Sequence, residues 1–80
     1  MITSQDIHAA TATHEMLDLI RDAASERNCE FNDEAGFDEQ AAFYREEARC
    51  SASDEDDETA MKEFADLLDA ADKRWEEIAE

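Results

Sequence analysis

Two histidines, two cysteines, four serines and 24 carboxylates are the side chains of this 80-residue chain able to ligate a metal or attack a substrate. Their spacing supports neither role. His8 and His14 stand six residues apart, so one helix would not stack them at i and i+3 or i+4. Cys29 and Cys50 lack the short C-x-x-C spacing of a zinc site. Ser4, Ser25, Ser51 and Ser53 have no glycine-rich elbow and no histidine beside them in sequence, as an activated nucleophile would need. The carboxylates Asp54, Glu55, Asp56, Asp57 and Glu58 invite a calcium reading. An EF-hand loop begun at Asp54 would put Thr59 where glycine belongs and Ala65 where the bidentate glutamate belongs. The expectation is therefore no catalytic residue, no metal, no cofactor and no enzyme activity. The protein is expected to act by binding a partner.

Charge is what the sequence holds in excess. Its 24 acidic residues face 7 basic ones, a net charge of -17. Acids in the first turn of a helix favour the positive end of its dipole. That accounts for part of the run Asp54, Glu55, Asp56, Asp57 and Glu58, but five in a row exceed it. The surplus reads as a docking surface for a basic partner. Glu15, Asp18 and Asp22 on the polar side of the first helix, with Asp33 and Glu34 in the loop after it, are further candidates for that surface. So acidic a chain is repelled by nucleic acid and by anionic membranes, and the natural partner is a positively charged protein surface. Reversing Asp54, Asp56 and Asp57 together is expected to weaken binding strongly with little effect on the fold.

The elements that must position these acids are helices. There is no valine, no proline and one glycine, while alanine occurs fifteen times. Such a composition disfavours strands and favours helices. The pattern predicts one all-α domain over residues 1–80, a compact three-helix bundle with helices at about 4–27, 38–50 and 54–79. Thr3 and Asp6 fit a capping box at the first start. Ala9, Ala10, Thr13, Met16, Leu17, Ile20, Ala23 and Ala24 form the apolar side. Asn28, Asn32, Asp33 and Gly36 mark a loop, with Cys29 and Phe31 apolar inside it. Asp38 is the expected cap of the second helix, Phe37 a staple against Ala42, and Phe43 a flanking stripe. Ser53 with Asp56, or Ser51 with Asp54, is the expected box of the third. Along that helix Met61, Phe64, Leu68, Ala71, Trp75 and Ile78 alternate by three and four, as in a coiled-coil seam. Glu58–Lys62 and Asp69–Lys73 are attractive pairs one turn apart.

No apolar run is long enough to span a bilayer, and residues 1–12 lack the features of a signal peptide. The expected location is the cytoplasm, where Cys29 and Cys50 would stay thiols, partly buried ones. A helix of 24 residues is about 36 Å long, so the net charge amounts to roughly one per 2 Å, close to the ~1.7 Å of duplex DNA. In length, acidity, helical content and the cluster from Asp54 to Glu58, the chain resembles small phage-encoded inhibitors of bacterial defence: anti-CRISPR proteins and anti-restriction DNA mimics. The resemblance implies an inhibitor that docks on a basic groove of a Cas effector complex or similar nuclease and blocks DNA, acting in the host cytoplasm. Two other readings fit the sequence: a helical adaptor or antitoxin-like protein, or a homodimer, pairing through the seam of the third helix, and a halophilic protein whose acidity is adaptation to its solvent.

Overall fold

In a computed structural model, which describes residues 1–79, four helices fold around one core: α1 (Ser4–Ala9), α2 (Thr13–Glu26), α3 (Phe37–Cys50) and α4 (Glu55–Ile78). The all-helical expectation holds, but the three-helix count does not. The expected first helix is two helices, separated at Ala10, Thr11 and Ala12. The reason lies in Ile7. At about 100° per residue, one unbroken helix would turn Ile7 to the opposite side from Met16, nine positions on. With the break, Ile7, Met16 and Ile20 all reach full burial. Ala10 is extended (φ -62°, ψ 138°), and its carbonyl accepts from Arg74 Nε on α4 at 2.9 Å. Glu15 restarts the chain by accepting from the Thr11 amide at 3.3 Å.

The longest helix, α4, is the one that touches every other helix. Helix α3 runs antiparallel along it, so that Tyr44 meets Phe64 (5.1 Å between ring centres) and Phe37 meets Trp75 (5.5 Å). Helices α1 and α2 also pack on α4. The resulting body measures 39 × 23 × 16 Å. The seam expected on the last helix is the core: Phe64, Leu68 and Ala71 are fully buried. Met61, Trp75 and Ile78 are half-buried along the same line. Seven of the thirteen buried apolar residues are alanines, so the helices approach closely and the core has little volume to spare.

Local chemistry sets the ends of these helices. Asp6 accepts from the Thr3 amide at 2.8 Å, as a capping box requires. Helix α2 ends in a Schellman arrangement: Cys29 N–H bonds the Ala24 carbonyl (2.8 Å) and Asn28 N–H the Ser25 carbonyl (3.4 Å). Asn28 sits there at φ 55°, a left-handed conformation that asparagine tolerates better than most residues. Helix α3 begins one residue earlier than expected, with Gly36 and not Asp38 at its cap. Phe37 is no staple on Ala42; its ring stacks on Phe31 at 5.7 Å. At α4 the cap is Asp54, whose carboxylate accepts from Asp57 N–H at 2.8 Å, in place of Ser51 or Ser53. Asp57 reaches back to the Ser53 amide at 3.1 Å.

Candidate docking surface

The acids expected to dock a partner fall into two kinds. Some are committed to the fold. Asp54 and Asp57 cap α4, and Glu15 serves the α1–α2 junction. Glu58 pairs with Lys62 at 2.8 Å. Arg21 draws Asp18 (3.9 Å) and Asp33 (2.9 Å) together. Others carry no such duty: among the described residues the side chains of Asp22, Glu34, Glu55 and Asp56 make no ion pair or hydrogen bond and are exposed. The start of α4 lies against the end of α2, where Asp54, Asp56 and Asp57 share a shallow groove with Glu26. Of the ten candidate acids, the fold thus brings Asp54, Asp56 and Asp57 together at that groove and Asp18 with Asp33 at Arg21. Because Asp54 and Asp57 are caps, reversing them would damage the helix start as well as the charge, contrary to the sequence expectation of little effect on the fold.

The basic side chains explain why the surface stays negative. Six of the seven are in ion pairs with the chain's own carboxylates. Arg45 bridges Asp66 (3.0 Å) and Asp69 on α4, so the expected Asp69–Lys73 pair gives way to a bond between helices. Arg74 pairs with Glu77 at 2.8 Å. Only Lys73 has no partner among the described residues. Arg27 is the one buried cation, 7% exposed. It donates to the carbonyls of Ile2 (2.8 Å) and Ala23 (3.2 Å). Its Nε lies 3.4 Å from Glu63 Oε2, near enough for charge attraction but not aligned as a hydrogen bond. Arg27 therefore ties the segment before α1 to α2 and α4, a role for which the sequence offers no periodic signal.

The loop after α2 is held by two polar side chains of α3 that sequence reasoning passed over. Gln40 is 7% exposed. Its amide oxygen accepts from Asn32 N–H and its nitrogen donates to the Asn32 carbonyl, both at 2.8 Å. One turn on, the Tyr44 hydroxyl donates to the Glu30 carbonyl (2.5 Å) and accepts from the Glu30 amide (2.8 Å). Burial pushes the Tyr44 hydroxyl pKa up, opposed by the bond to the Glu30 backbone and reinforced by the charges of Cys29, Glu30 and Glu47. Cys29, half-buried in the loop, also has its pKa pushed up by burial and by the Asp57 charge. Cys50 is an exposed thiol, not the partly buried one expected.

A groove of about 380 Å³ opens between this loop and α3, lined by Phe31, Ala35, Phe43, Tyr44 and the acids Glu30 and Glu39, with Asn32 and Gln40. Phe43, expected on a flanking stripe of the core, is 49% exposed and stacks on Tyr44 at 5.2 Å. Among the described residues no three histidine, cysteine or acidic side chains converge as a metal-ligand set, and no helix is long and apolar enough to cross a membrane. Comparison with protein-family models, with curated proteins and with solved structures finds no match to this chain.

Proposed function

We propose that the protein is a stoichiometric inhibitor of a nucleic-acid-binding machine, of the anti-CRISPR kind, which lays its acidic surface on a basic groove of a Cas effector complex and keeps DNA out. The supporting observation is the way the few cations are spent. Six of seven are bound to the chain's own carboxylates, which leaves a surplus of 17 negative charges on a body 39 Å long. That is one net charge per roughly 2.3 Å, against one per ~1.7 Å of duplex axis. A surface of lysines and arginines built for phosphates meets a comparable charge density here. A helical adaptor joined through the α4 seam would have to open the fold first, because Phe64, Leu68 and Ala71 are buried against the chain's own helices.

The test is binding of the tagged protein to a panel of purified Cas effector complexes, each challenged with labelled target DNA over a salt series. The expected result is a complex that excludes DNA and weakens as salt rises, since exposed charges are screened within about 8 Å at physiological ionic strength. Binding that survives high salt would argue for apolar docking instead. Absence of binding to every complex would overturn the anti-CRISPR assignment.

A further inference from the structure

The groove beside Phe43 gives the acidic surface an aromatic floor. Phe43 is the only large hydrophobic side chain within the described helices that is exposed, at 49%, with its ring stacked on Tyr44. Two of its polar neighbours are committed to the loop. Tyr44 spends its hydroxyl on Glu30 and Gln40 spends its amide on Asn32, so neither points a vacant donor or acceptor into the space. At about 380 Å³ the groove has room for one large side chain and lies at the small end for a metabolite pocket. The rim is acidic: Glu30 and Glu39 line it, and neither carboxylate is in an ion pair among the described residues. No basic residue lines the groove.

We propose that the groove walled by Phe31, Phe43 and Tyr44 is the anchor of the docking face, taking one apolar or aromatic side chain from an arginine- and lysine-rich surface of a partner protein. This rests on the docking reading above and says which face engages. Charge complementarity selects the occupant. A second copy of this chain would bring another -17 to an acidic rim, so self-association is opposed. A basic surface with one protruding apolar residue satisfies both the rim and the floor. Anchors of this type, a buried aromatic ringed by charges, carry most of the energy of protein interfaces.

Two synthetic peptides test it: four arginines on either side of a tryptophan, and the same with alanine at the centre. Their affinities for the full chain are measured by labelled-peptide anisotropy at physiological ionic strength and in high salt. The tryptophan peptide is expected to bind at least about tenfold more tightly, a factor equivalent to ~1.4 kcal/mol, and to keep that advantage as salt rises while both affinities fall. Phe43→Ser, a substitution at an exposed position, is expected to erase the advantage and leave the alanine peptide unaffected, with helical circular dichroism unchanged. Equal binding of the two peptides, or an advantage that survives Phe43→Ser, would overturn the anchor while leaving acidic docking intact. No binding of either peptide would remove the anchor and the docking reading together.

Discussion

Two side chains on consecutive turns of α3, Gln40 and Tyr44, hold the loop at alternate residues, Asn32 and Glu30. Each meets both the amide and the carbonyl of its target, as a neighbouring strand would. The loop thereby becomes a wall of the Phe43 groove. This arrangement depends on a protonated tyrosine, because the ionised form cannot donate to the Glu30 carbonyl. The Tyr44 pKa is raised in the folded protein, chiefly by burial, above its ordinary value of about 10. A raised folded-state value means that the folded chain holds the proton more tightly than the unfolded one. The associated stability is whole below pH ~10 and disappears as pH climbs through the folded-state value. Tyr44 is the single tyrosine, so its ultraviolet difference spectrum reports this group alone. Its ionisation is expected above pH ~10, accompanied by release of the loop and faster alkylation of Cys29. Ionisation at the ordinary value with Cys29 still protected would refute this role.

At the scale of the element, the start of α4 separates carboxylates that build the helix from those that only decorate it. Asp54 accepts the Asp57 amide, and such a cap is worth about 1 kcal/mol. Asp56, two residues on, is exposed and makes no hydrogen bond. Asp54→Ala is therefore expected to lower stability by about 1 kcal/mol and Asp56→Ala to leave it within about 0.5 kcal/mol, measured by urea unfolding. Equal losses from the two would mean that dipole charge, and not the cap bond, starts this helix. The sequence revealed the helices with strong three-and-four spacing, α4 above all, because a buried stripe is written into residue type. It also revealed the loop, through Asn28, Asn32 and Gly36. It hid the α1–α2 break because alanine and threonine at 10–12 are compatible with helix. What decides there is the tertiary demand of Ile7 and the bond from Arg74, which lies 64 positions away. It hid the anchor groove for a related reason. Phe43 looks like core by type, and only the path of the 28–36 loop shows that about half of its surface stays open.

For the molecule as a whole, the question is whether the negative charge serves the fold or burdens it. Six cations are paired with acids, but the net charge is still -17 on a body 39 × 23 × 16 Å. Exposed pairs contribute little each, whereas the unpaired acids repel one another throughout. Repulsion should therefore win, and the fold should be less stable than its contacts alone would make it. Asp22, Glu34 and Asp72 are exposed, lie outside the first turn of any helix and make no side-chain ion pair or hydrogen bond among the described residues, so they can be reversed without removing a cap, a bridge or a favourable dipole contact. Changing all three to lysine replaces a negative charge by a positive one at each position and takes the net charge from -17 to roughly -11. At low salt the triple variant is expected to melt at least about 4 °C higher than the parent, the shift that ~1 kcal/mol produces in a domain of this size. In ~1 M salt, where the screening length falls to about 3 Å, the two midpoints should converge. The same variant should bind a basic partner more weakly, so stability and affinity would move in opposite directions. A charge kept at the expense of stability is what a docking surface requires. A parent chain that unfolds in dilute buffer and folds only in concentrated salt would instead mark its acidity as adaptation to a saline solvent. A triple variant less stable than the parent at every salt concentration would show these acids to be structural.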